Sequence, residues 1–129
     1  MTANEFRRIA LGMEGAIESA HMNHPDFRVN GRIFATLQAD DKRGMVALTP
    51  ELQQQFMRAS GAFSPASGAW GRGGSTMVQL SDIDEETLGE AMTAAWRLAI
   101  DKGAARSTKK SARTAKDAAR KSTRRSRKR

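Results

Sequence analysis

The chain of 129 residues has no cysteine, which excludes disulfides, a thiolate metal site and a thiol nucleophile and agrees with a reducing compartment. Long apolar runs are missing too. No window approaches the roughly 18 apolar residues that a membrane span needs. The N-terminal MTANEFRRIALGMEG carries a charge every few residues where a secretory signal would carry an apolar block. A cytoplasmic protein without a membrane partner is expected. The shortage is sharpest at the C-terminal end: nothing after Ile100 is Val, Ile, Leu, Met, Phe or Trp, and every aromatic (Phe6, Phe27, Phe34, Phe56, Phe63, Trp70, Trp96) precedes it. A segment so composed cannot bury a core of its own.

Charge follows the same division. Through Ile100 the chain has 9 Lys and Arg against 12 Asp and Glu, a net −3, whereas Asp101 to Arg129 holds 13 against 2, a net +11. The sequence therefore reads as one folded domain over residues 1–102, long enough for a workable core, followed by a disordered basic tail over residues 103–129.

Within the domain the local signals are regular. Thr2 and Glu5 have the form of a capping box, and Phe6, Ile9, Ala10 and Met13 share a helical face, which predicts a helix from about Ala3 to Gly12. AIESAHM alternates weakly as a strand. Asn30-Gly31 between two alternating runs predicts a type I′ hairpin with strands over about 26–29 and 32–38. GMVALT is a further strand after the polar turn ADDKR. Thr49 as N-cap and Pro50 at the first helical position then open a helix with Leu52 and Phe56 inward. GAFSPASGAWGRGG reads as a glycine-rich loop and STMVQL as a strand. A last helix starts near Asp82 to Asp84 with Leu88, Met92, Ala95, Trp96 and Ala99 as its apolar stripe. This order predicts an α+β fold: an antiparallel sheet of about five strands packed with three helices.

Pairing the hairpin through its two-residue turn sets Val29 against Arg32, Arg28 against Ile33, Phe27 against Phe34 and Asp26 against Ala35. Phe27, Val29 and Phe34 then share one face, and His24, Asp26 and Arg28 line the other beside Ile33, Ala35 and Leu37. Such a row could hold a phosphate or carboxylate with Arg28 as a bidentate donor. The preferred reading is a plain same-face ion pair of Asp26 and Arg28. His21 and His24 have H-x-x-H spacing but are expected on different faces, with no third ligand near, so no metal is expected. Nor does His24 with Asp26 make an acid–base site, since no nucleophile accompanies them. GAWGRGGS lacks the Gly-Lys-Ser/Thr ending of a P-loop, and no cofactor is expected. Its glycines are read as permitting a tight turn while Trp70 plugs the edge of the core. The other reading makes Trp70 and Arg72 a stacking plane and a cation for a partner.

HPDFRVNGRIFATL, AWGRGGSTMVQL and AWRLAI, in this order and spacing, resemble the MmcQ/YjbR family of small bacterial proteins over roughly Asn4 to Ile100. The resemblance implies a CyaY-like α+β fold, also described as a double wing similar to the DNA-binding domain of a phage transcription factor, and with it DNA binding. It carries over no catalytic residue. The tail lies beyond the part that the resemblance covers.

The strongest functional signal is that tail. Lys109, Lys110, Arg113, Lys116, Arg120, Lys121, Arg124, Arg125, Arg127, Lys128 and Arg129, spaced by Ala, Ser and Thr, form a polycation suited to a nucleic-acid backbone, foremost that of double-stranded DNA, without reading bases. A non-enzymatic, largely non-specific DNA-binding protein is the expectation, with Arg28, Arg32, Arg43 and Arg72 as cations through which the acidic domain could join in. The alternative is a small-molecule or protein-binding domain with a pocket near Trp70, Arg72 and the polar row.

Overall fold

In the computed structural model, residues 1–21 and 24–102 are described; the tail cations from Lys109 to Arg129 lie outside them. Thr2 caps the first helix, α1 (Ala3–Leu11), through the reciprocal bonds of a capping box with Glu5. Four strands follow, β1 (Ile17–His21), β2 (His24–Val29), β3 (Arg32–Leu37) and β4 (Arg43–Ala47). Helix α2 (Pro50–Ala59) is opened by Thr49, whose hydroxyl accepts from the Leu52 amide at 3.2 Å. Then come β5 (Phe63–Pro65), a short helix α3 (Gly68–Arg72), β6 (Ser75–Gln79) and a 3-10 turn (Leu80–Asp82). The last helix, α4, occupies residues 85–102 and is capped by Asp84, which accepts from the Thr87 amide at 2.7 Å.

The strands form one antiparallel sheet in the order β1-β2-β3-β4-β6-β5. The α+β architecture therefore stands, with six strands and four helices among the described residues where about five and three are expected. The difference arises in residues 61–74: the segment expected as a loop contains β5 and α3.

Asn30 and Gly31 both have positive φ, 53° and 79°, as a type I′ turn requires. The pairs Val29–Arg32 and Arg28–Ile33 form as the turn dictates. Beyond them β3 accommodates an extra residue, a bulge, and the register shifts: Phe27 pairs with Ala35 and Asp26 with Thr36. The expected pairings of Phe27 with Phe34 and Asp26 with Ala35 are thus corrected. The shift has a packing cause, because it lets Phe34, Ala35 and Leu37 all enter the core while Thr36 takes the place beside Asp26.

One face of the sheet carries that core. Phe6 and Ala10 of α1 and Leu88, Ala91, Met92, Ala95 and Ala99 of α4 form one buried cluster with Phe27, Val29, Phe34, Leu37, Val46 and Val78. Leu52, Phe56 and Met57 of α2 are partly buried against it. Each large apolar side chain so buried contributes about 1.5–3 kcal/mol, which binds α1, α2 and α4 to this face. Among the described residues no helix is long and apolar enough to cross a membrane.

Candidate nucleic-acid interface

On the face opposite the core the strands line a groove of about 830 Å³. Its floor follows from the register. Asp26 pairs with Thr36, Thr36 with Met45, Met45 with Met77 and Met77 with Ser64, so one row crosses five strands with two methionines at its centre. A second row lies one pleat away. His21 pairs with His24 and Arg43 with Gln79, and the same registers bring Gln38 between His24 and Arg43, its amide donating to the Arg43 carbonyl at 3.0 Å. His21, His24, Gln38, Arg43 and Gln79 thus make a polar row about 19 Å long, at about 4.8 Å per strand, and all five line the groove.

Trp70 lines the other end. It comes from α3, which sits between Ala66 and Ser75, two residues joined by the bond from the Ala66 amide to the Ser75 carbonyl (2.9 Å). Two features seat this helix. Gly71 lies so close to the backbone of Ala66 that a Cβ there would overlap its carbonyl. Buried Gln53 of α2 donates from Nε2 to the carbonyls of Gly71 and Ser75, each at 3.0 Å. So held, Trp70 is 71% exposed, which corrects the reading that it plugs the edge of the core. Ile17 and Ile33 flank Arg28 by register and are also exposed, so three of the four large exposed apolar side chains among the described residues lie on or beside this face.

The electrostatics of the groove depart from those of the domain. Among the described residues, which carry an acidic surplus, no Asp or Glu lines it, whereas the smaller depression of about 360 Å³ over α2 and α4 contains Glu90 and Asp101 with Arg97. Two carboxylates bond side chains that line the groove: the exposed Asp40 accepts from Arg43 Nε at 3.2 Å, and Asp26, bonded by His21, is fully buried. Arg28 donates to it from Nε (2.8 Å) and Nη2 (3.1 Å), and His21 from Nδ1 (2.7 Å). The Arg28 guanidinium, with His21 behind it, holds the Asp26 carboxyl below the usual carboxylate range against the upward push of burial. Its negative charge is therefore matched from within the fold. His24 Nδ1 is buried and makes no hydrogen bond among the described residues, an unusual state for a buried polar atom.

The residues singled out from the sequence are redistributed accordingly. His24, Trp70 and Arg43 line the groove; Asp26 and Arg28 form the ion pair of the preferred reading, under and beside it. Arg32, beside the hairpin turn, and Arg72, the last residue of α3, do not line it. His21 and His24, expected on different faces, are cross-strand partners with ring centroids 6.3 Å apart. It is His21, rather than His24, that bonds Asp26. Sequence reasoning missed Gln38, Gln79, Met45 and Met77; their alternation with core residues places them on this face, but only the strand order brings them together.

Comparison with known proteins adds two findings. The family model described as YjbR matches residues 11–98. The crystal structure of the Deinococcus radiodurans protein DR2400, whose family-model domain is DUF419, superposes with a TM-score of 0.67 at 20% identity, over 79% of this chain and 80% of that one, a likeness in fold. No curated protein sequence matches the chain.

Proposed function

The chain belongs to the YjbR family, and from that premise we propose that it is a cytoplasmic, non-enzymatic nucleic-acid-binding protein with DNA as its partner. In this reading the basic tail supplies most of the affinity by displacing counterions from phosphates, largely without regard to sequence. The observation that carries it is the segregation of charge: a net +11 after Ile100 against a net −3 before it. The groove supports a part for the domain, since among the described residues its lining has Arg43 and two histidines and no Asp or Glu, although Arg43 is shared with Asp40 beside it. The other depression sets Glu90 and Asp101 against Arg97 and is the less suited to a polyanion.

The test is a mobility-shift titration of a duplex with the wild-type chain and with a full-length variant in which the eleven cations from Lys109 to Arg129 are replaced by Gln. Replacement should weaken binding by orders of magnitude at low salt. Unchanged affinity would refute the role of the tail, and failure of the wild type to bind would refute the function.

The groove also favours a second reading, a small-molecule site with the tail incidental, because about 830 Å³ lies within the usual range for ligand pockets. A thermal-shift screen of small anionic and aromatic compounds on the tail-neutralised variant separates the two: a ligand that stabilises that variant and is lost with Trp70→Ala would favour the second.

A further inference from the structure

We propose that the groove opposite the core is a site for an unpaired strand, so that the domain adds to the tail a preference for single-stranded over double-stranded nucleic acid. The inference rests on the nucleic-acid reading above and names the form of nucleic acid that the folded part selects.

The argument is the match between the order of side chains across the groove and the chemistry of a nucleotide. A nucleotide in an unpaired strand offers an apolar, polarisable base face, a polar base edge and an anionic phosphate. At one end the groove offers Trp70, exposed and free to lie against a ring. The middle of its floor is Met45 and Met77, paired across β4 and β6, soft apolar groups that pack well against aromatic surfaces. At the other end stands the polar row: Arg43, which gives Nε to Asp40 and keeps its terminal nitrogens as donors, the imidazoles of His21 and His24, and Gln38 and Gln79, able to donate and accept. Arg43 and Ala47 bracket the length of the groove along β4, four residues or about 14 Å, enough for base and phosphate to reach their respective ends.

A duplex does not satisfy the same surface. Its base faces are stacked inside, and what it presents first is phosphate, which gains nothing from two methionines and a tryptophan face. Sheets that bind unpaired strands do so by stacking bases on aromatic side chains displayed on the open face, with cations following the backbone. The exposed Ile33, which also lines the groove, extends the apolar area available to a base. Among the described residues the lining itself holds one guanidinium, Arg43, shared with Asp40 beside it, and no Asp or Glu, so a phosphate on the strand finds a cation there and no lining carboxylate opposes it.

The experiment uses the full-length chain. Fluorescence anisotropy is measured with a labelled oligothymidylate and with a duplex of equal length, for the wild type, Trp70→Ala, Trp70→Phe, Arg43→Gln and, as a control in the acidic depression, Arg97→Gln. Because Trp70 is largely exposed, its replacement leaves the fold intact, which far-UV circular dichroism verifies.

Loss of one stacking partner is expected to weaken single-strand binding about 5- to 100-fold in Trp70→Ala, with most of the affinity kept in Trp70→Phe and duplex binding unchanged. Arg43→Gln should weaken single-strand binding more than Arg97→Gln does. If both nucleic acids bind and Trp70→Ala alters neither, or lowers both alike, the inference is overturned while the nucleic-acid function stands. If the wild type binds neither, both are overturned.

Discussion

Replacing Gln53 by Leu tests how the fold holds Trp70 in place. Gln53 is 4% exposed and gives two hydrogen bonds of 3.0 Å from Nε2, to the carbonyls of Gly71 and Ser75. Neither carbonyl is orphaned by the change: Gly71 O also accepts from the Gly74 amide (3.1 Å) and Ser75 O from the Ala66 amide (2.9 Å). The cost is thus two net hydrogen bonds at about 0.5–1.5 kcal/mol each, about 1–3 kcal/mol together, without a desolvation penalty on the acceptors. For a domain of this size each kcal/mol corresponds to a fall in Tm of about 4–8 °C. Gln53→Glu should be worse than Leu despite its closer shape, because an ionised carboxylate cannot donate to either carbonyl and carries a buried charge. Thermal melts give the order wild type, Leu, Glu, and hydrogen exchange locates the loosening at the Ala66 and Gly74 amides. A Leu variant that melts with the wild type, or a Glu variant more stable than Leu, refutes the clamp.

Four further outcomes follow from the geometry. Asp26→Asn should reduce stability at neutral pH by about 1–3 kcal/mol. Because the carboxyl is held below its ordinary value, its contribution is present above about pH 4 and is lost as pH falls through the lowered value. Urea melts across that range should then show wild type and variant converging in acid, and a constant gap would refute the assignment. In Gly44→Ala the new Cβ would overlap the fully buried Phe6 ring, so a loss of about 1–3 kcal/mol in denaturant unfolding is expected; no loss would show that α1 can move away from β4. Trp70→Ala should change stability by less than about 0.5 kcal/mol in the same assay, and a large loss would return Trp70 to the core. Finally, Arg28→Ala removes both guanidinium bonds from a buried carboxylate. It should cost about 3 kcal/mol, whereas Arg32→Ala, whose side chain makes no ion pair among the described residues, should cost little.

The features legible in the sequence are those set by residues within a few positions of one another. The capping box of Thr2 and Glu5, the Thr49-Pro50 start of α2 and the Asn30-Gly31 turn each depend on local stereochemistry, and each forms as expected. The bulge in β3 does not have a local cause, because the gain that drives it is the burial of Phe34, Ala35 and Leu37 against helices distant in sequence. Likewise α3 consists of GAWGR, which reads as loop on propensity; its seat comes from Gln53 on another helix and from the contact of Gly71 with Ala66.

The groove itself was out of reach for a related reason. Gln38 and Gln79 are 41 residues apart in the sequence, and they meet Arg43 in one row only through the strand order. His21 and His24 share a face because they pair across adjacent strands, a relation that their H-x-x-H spacing does not reveal without the turn. The uneven charge of the chain, by contrast, needed no structure to be seen, and it carries the functional reading.

That reading is tested most directly by the salt dependence of duplex binding to the full-length chain. If about 10 tail cations engage phosphates, log affinity should fall against log salt with a slope of roughly −9, and neutralising the eleven cations from Lys109 to Arg129 should leave a slope of only a few units. A slope that is shallow in the wild type, or the same in both proteins, would contradict the account.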